Sequence, residues 1–207
     1  MPKEPRTSAE ERERQTERLY AKVGKIAVHG EHLNYAMFQC TSWVLQMKGL
    51  QQKYATAVLA SQNLENMRRT WESLMKDYFA DDTDAVGMID HLSTRIDNVI
   101  QRRNDTVHRR WLIGWGNEET ESYEVASGIN ARRDIGKKGR GGVKYTSKDT
   151  KDFEEIIKEI ENLTSLVMRF IASVVDPAFG SNLGKPVKIF HYNSKGNLVG
   201  SPPEQKK

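Results

Sequence analysis

The stretch AVGMIDHLSTRIDNVIQRRNDTVH, residues 85–108, decides how the chain is read. Ala85, Ile89, Leu92, Ile96 and Val99 recur at steps of four and three, the spacing that aligns apolar side chains on one face of a helix. Arg103 falls on the same face, one step beyond Val99. A guanidinium there is costly unless it meets a partner or reaches water in a cleft. The sequence runs on as RRW, so that Arg102, Arg103, Arg109 and Arg110 stand against the single Asp105. A basic helix end suits the negative pole of the helix dipole. A site for a phosphate is the other reading, and the rest of the chain has to decide between them.

On the N-terminal side, Thr7 and Ser8 precede Glu10 and Glu11 at capping-box spacing. Leu19, Val23, Ile26, Gly30, Leu33, Met37, Cys40, Val44 and Met47 then form one seam, which predicts a single helix over 8–48. Gly24 and Gly30 each cost that helix roughly 1 kcal/mol against Ala, yet the seam keeps its register across both. Gly30 lies on the seam, where a missing side chain lets another helix come close. Gly49 ends the helix. Tyr54, Ala57, Ser61, Leu64, Met67, Trp71, Leu74 and Tyr78 predict a second helix over 51–79, and ADDTDAVG, 80–87, is a turn with several candidate caps.

On the C-terminal side, Phe153, Ile156, Ile160, Leu163, Val167, Phe170 and Val174 predict a helix over 149–175, stopped by Pro177 and Gly180. Between it and the opening stretch lie WLIGW (111–115), SYEVASGI (122–129) and GVKYT (142–146), short β-branched or aromatic runs parted by Gly-rich basic turns. The expected architecture is mainly α: an up-and-down bundle of about four long helices, with a small β-hairpin insertion at 111–148 before the last. Residues 1–18 are a charged helix start prone to fraying, 19–176 the helical domain, and 177–207 an extension. That extension carries one strand, 187–192, and a polar tail read as disordered.

The chain of 207 residues suits one domain with tails. Hydrophobic residues at 37% and charged residues at 29% fit helices with wide solvated faces better than a β-sandwich. A net charge of +4 permits a nucleic-acid partner without demanding one. The lone Cys40 excludes an internal disulfide and a Cys-rich zinc site, and its apolar neighbours mark it as a small buried hydrophobe. The N-terminal MPKEPRTSAEERER has no apolar core for a signal peptide, and no run approaches the ~20 apolar residues of a membrane span. A cytoplasmic protein with no membrane partner is expected.

Two weaker patterns fail on inspection. His29 and His32 stand three apart beside Glu31, but no Cys or Asp accompanies them, so no metal is expected. Gly136-Lys137-Lys138-Gly139 has the form of a KH loop, yet its flanks read as strands where a KH loop joins helices. A flexible basic turn is the better reading. Within ARRDIGKKGRGGVKY, 131–145, Lys137, Lys138 and Arg140 are candidates for contacts to a phosphate backbone, and a solvated loop accounts for them as well.

The opening stretch is more specific. Asn104 and His108, four apart, share a helical face. Arg103 and His108, five apart, diverge by about 140° on an ideal helix; the reach of the arginine narrows that gap, and a second copy of the helix across a two-fold axis would complete a site. Arg103-Asn104-Asp105-Thr106-Val107-His108 resembles the R-x4-6-H motif of the HEPN superfamily, with the polar residue that commonly follows its arginine. The setting, the end of the third main helix before a variable connection and a last helix, is similar too, and the resemblance covers about 24–175. Related sequences often carry Gly after the histidine; here Arg109 and Arg110 follow, which either deepens a phosphate site or crowds it.

The resemblance implies a metal-independent endoribonuclease that needs no cofactor and works as a homodimer, a toxin or antiviral effector with a cognate inhibitor or antitoxin as a further partner. RNA cleavage of this kind uses the neighbouring 2′-OH as nucleophile and leaves a 2′,3′-cyclic phosphate. Histidine is the side chain whose charge changes nearest neutral pH, which suits His108 to acid–base work. Arg103 suits the charge on the phosphorane oxygens. Asn104 either orients His108 or holds the phosphate. Arg102, Arg109 and Arg110 join the candidates for substrate binding. Trp111, like Trp115, stacks on a base or packs in the core. Two rivals stand beside this reading: a non-catalytic HEPN module that binds RNA, nucleotide or a protein, and a structural helical oligomerisation protein.

Overall fold

The structure, a computed structural model, describes residues 9–108, 110–112, 126–130, 144–175, 190–192 and 198–200. The chain is mainly helical. Its described helices are α1 (Ala9–Met47), α2 (Gln52–Leu59), α3 (Leu64–Tyr78), α4 (Thr83–Val107) and α5 (Thr150–Val175). Five short strands accompany them: β1 (Arg110–Leu112), β2 (Ala126–Asn130), β3 (Lys144–Lys148), β4 (Phe190–Tyr192) and β5 (Leu198–Gly200). No helix among the described residues is long and apolar enough to cross a membrane. The chain divides into two units, one of Met1–His29 with Gln101–Glu159 and one of Gly30–Ile100 with Ile160–Lys207.

Helix α1 runs without a break through Gly24 and Gly30, as its seam predicts. Leu19, Ile26, Leu33, Met37, Cys40 and Val44 are all buried. Its end is set by backbone chemistry. Gly49 adopts φ 93°, and its N–H and that of Leu50 donate to the carbonyls of Gln46 and Leu45, both at 2.9 Å. This 5→2 and 6→1 pair is a Schellman ending, which a glycine in the left-handed region makes without strain.

The helix predicted over 51–79 is two helices. The chain leaves the helical path between Ala60 and Asn63, and Asn63 restarts it as the N-cap of α3, its side-chain oxygen accepting the Asn66 N–H at 2.9 Å. The buried residues of α2 are Ala55 and Leu59, while Tyr54 stands 53% exposed. The apparent seam through Tyr54, Ala57 and Ser61 is therefore not the buried face, since all three are exposed and Ala55 and Leu59 face inward instead. A side-chain cap that satisfies an otherwise orphaned N–H outweighed the pattern.

In the second unit the core is built from α1, α3, α4 and α5. Trp71 of α3, fully buried, meets Phe170 of α5 edge-on at 6.3 Å between ring centres, and Phe79 meets the same ring at 5.4 Å. Cys40 of α1 lies against Met75 of α3, 3.6 Å between sulfurs. Ala85, Ile89, Leu92, Ile96 and Val99 all point into the core from α4, as the opening stretch requires. Between α3 and α4 runs a ladder of polar groups. Arg68 donates to Glu72 at 2.6 Å and to Ser93 at 2.7 Å and stands 3.5 Å from Asp97; Lys76 bridges Glu72 and Asp90. Ser93 also donates to Glu72 at 2.6 Å. Partial burial alone would raise the Glu72 carboxyl, but Lys76, Ser93 and Arg68 together hold it below the usual carboxylate range.

In the first unit β2 is central, pairing antiparallel with β1 on one side and β3 on the other. Asp149 and Asp152 open α5 reciprocally, each carboxylate accepting the other's backbone N–H at 2.9 Å. Lys22 of α1 pairs with Glu154 of α5. Beyond α5, β4 and β5 pair antiparallel within the predicted extension, β4 inside the strand expected there. The rest of 177–207, and residues 1–8, lie outside the described residues.

Candidate functional site

The end of α4 positions the motif. The helix stops at Val107, and His108 closes the last turn with its N–H, which donates to the Asn104 carbonyl at 3.0 Å. Since His108 itself is no longer helical, the ideal-helix angle does not apply to its ring. Arg103 is half-buried and His108 exposed. Within one chain the Arg103 Nη1 lies 3.4 Å from the His108 Nε2 and donates to the Asn104 side-chain oxygen at 3.0 Å. The three candidate catalytic residues therefore meet on a single chain, contrary to the divergence that their spacing suggests.

A guanidinium nitrogen has only hydrogens to offer. Where the guanidinium donates to it, the facing His108 Nε2 is the acceptor, and a neutral ring then carries its proton on Nδ1. The arrangement presents a fixed cation, an amide and an exposed imidazole to solvent. Chemically that is a site for an oxyanion beside a group able to give or take a proton.

Below the motif, Thr106 is fully buried and is bonded from several sides. Its hydroxyl donates to the Arg102 carbonyl at 2.8 Å and accepts from the Lys148 ammonium at 3.1 Å. Its carbonyl, one of the last four in the helix, accepts the indole N–H of Trp111. Trp111 in turn stands edge-on to Phe153, 5.6 Å between ring centres. The half-buried Trp111 thus packs and bonds at the end of α4.

Of the other candidates, Arg102 is exposed and lies 3.6 Å from Glu155 of α5. Arg110 belongs to β1 by its backbone. Arg109, Trp115, Lys137, Lys138 and Arg140 lie outside the described residues. His29 is half-buried and His32 exposed on α1. Among the described residues no group of three His, Cys, Asp or Glu side chains could hold a metal ion. Sequence reasoning missed Thr106 and Lys148. The i to i−4 bond of a helical threonine is commonplace, and Lys148 is 42 residues away in the chain, so no local spacing signals either.

No protein-family model matches the chain, and no curated protein or solved structure matches it.

Proposed function

We propose that the protein is a metal-independent endoribonuclease of the HEPN kind, with an HEPN-like bundle, acting as a homodimer on RNA. The observation that carries this reading is the meeting of Arg103, Asn104 and His108, with Arg103 Nη1 3.4 Å from His108 Nε2. Arg103 holds the scissile phosphate and stabilises the added charge of the phosphorane. His108 moves the proton: as a base it takes it from the 2′-OH, or as an acid it gives it to the leaving 5′-oxygen. Asn104 fixes the guanidinium. The second copy of the motif across the two-fold supplies the complementary proton transfer, because one imidazole cannot be base and acid at once. Products are a 2′,3′-cyclic phosphate and a 5′-OH. Such an activity fits a toxin or antiviral effector restrained by a cognate inhibitor, and a cytoplasmic setting where RNA is at hand.

The test compares wild type with His108→Ala on single-stranded RNA in EDTA, with product ends analysed. Cleavage by wild type alone, with cyclic-phosphate ends, is expected. Equal cleavage by both proteins, or none by wild type across a broad panel of RNAs, overturns the reading and leaves a module that binds RNA, nucleotide or protein. Sedimentation at micromolar concentration tests the dimer.

A further inference from the structure

We infer that Thr106, Trp111 and Lys148 are positioning residues for His108, a bracket that decides where the imidazole stands. Its catalytic consequence rests on the ribonuclease reading above; the geometry does not. The strands β1 and β3 are the outer two of their sheet, each paired to β2. Each sends one residue to the same place. Trp111, opposite Gly128 in the register, donates to the Thr106 carbonyl, and Lys148, opposite Ala126, donates to the Thr106 hydroxyl. Thr106 is the buried residue of the motif, two positions before His108 and three after Arg103.

A helix end has several ways to finish. Without a partner, the Thr106 carbonyl would invite another turn, which would carry His108 back toward the divergent direction of an ideal helix. The indole N–H occupies that carbonyl. The ammonium of Lys148 sits at the negative end of the α4 dipole and fixes the hydroxyl of the same residue. Phe153 at the start of α5 holds the Trp111 ring edge-on, so the indole cannot swing away freely. The chain therefore leaves the helix after Val107 in one direction, and the ring of His108 falls beside Arg103. The sheet acts on the site through Thr106, which receives one bond from each outer strand.

The experiment reads the His108 ring directly, by nitrogen-15 NMR of the uncharged imidazole, with His108→Gln to assign the signal. Wild type is expected to show the proton on Nδ1, with Nε2 as acceptor. Trp111→Phe keeps a ring against Phe153 but loses the N–H; Thr106→Val keeps the shape but loses the hydroxyl; Lys148→Met loses the ammonium. Each is expected to shift His108 toward the mixed tautomers of a free imidazole. In cleavage assays kcat should fall by about ten- to a hundredfold, with KM within about twofold. Thr106→Ser should restore both signals. If Thr106→Val fails to fold, Trp111→Phe decides alone. An unchanged His108 signal in a folded Trp111→Phe protein overturns the proposal, as does a loss confined to KM. A wild type that shows the ordered imidazole but cuts no RNA sinks the ribonuclease reading and leaves the positioning role standing.

Discussion

Helix α4 carries two arginine-centred clusters of opposite character. Midway along it, Ser93, Asp90 and Asp97 receive Arg68 and Lys76 from α3, with Glu72 shared between them. Cations and carboxylates alternate there, and the Arg68 side chain is only 13% exposed. At its end, Arg103 meets an amide oxygen and an imidazole nitrogen, with His108 open to solvent. The first cluster joins two helices by matched charge. The second gathers groups suited to an anion that arrives from outside. The same residue type serves architecture in one place and, on the proposed reading, chemistry in the other, and the neighbours decide which.

The sharpest way to break that contrast is to exchange its consequences. His108→Ala should lower RNA cleavage by about 10²–10⁴-fold. Because the ring is exposed, stability should move by no more than about 0.5 kcal/mol in urea titration. A large loss of stability would place His108 among the architectural residues.

Glu72→Ala should do the reverse. It strips two cations of a shared partner and leaves the Ser93 hydroxyl short of an acceptor, costing about 1–3 kcal/mol. Cleavage should stay within about twofold. The urea midpoint at constant m, beside an RNA assay of the same preparation, checks both halves.

Acid should separate further groups. Partial burial, and then the Arg95 charge, hold His91 below its ordinary value of 6.5. Its folded value is depressed, so its contribution is full above 6.5 and lost as pH falls through the lower folded value. Glu72, held below 4.5, contributes fully above that value and is lost only in stronger acid. Urea midpoints between pH 7 and 3 should therefore fall in two stages. His91→Asn should remove the upper stage and Glu72→Gln the lower. A single stage untouched by either substitution would deny these groups their role.

Smaller effects test the helix ends. Asn63→Ala should cost about 1 kcal/mol and Asn63→Gly only a few tenths, because both lose the acceptor for the Asn66 N–H but the smaller residue leaves that N–H open to water. Gly24→Ala should stabilise by about 0.5–1 kcal/mol, since an added Cβ meets nothing within 4 Å on that exposed helical face. Thermal melts of the three variants suffice.

The long seams were legible because burial repeats with the helical period. Leu33, Met37, Cys40 and Val44, like Ile89, Leu92 and Ile96, lie inside as their spacing requires. The break before α3 was not legible from spacing, since Ser61 and Leu64 keep the rhythm across a turn. The asparagine at 63 with Glu65 behind it was the signal that could have found it. Within α3, the four-residue steps from Arg68 to Glu72 to Lys76 were visible as a charge pattern, but their partners on α4 come from tertiary packing. At the candidate site the residues were readable and their convergence was not. The angle between Arg103 and His108 holds for a helix that continues, whereas α4 ends at Val107, with Thr106 bonded by Trp111 of the strand just after it and by Lys148 of the remote β3.

Cys40 has a practical consequence. It is the only thiol in the chain, 1% exposed beside Met75, and burial pushes it up to about 12 despite a contact with Trp71. A protonated, enclosed thiol is slow toward alkylating and disulfide reagents. A cysteine introduced on an exposed helix face could thus carry a fluorophore or spin label with the native residue left in place. Under mild denaturant, the rate at which Cys40 itself becomes reactive would clock the opening of the core around Trp71.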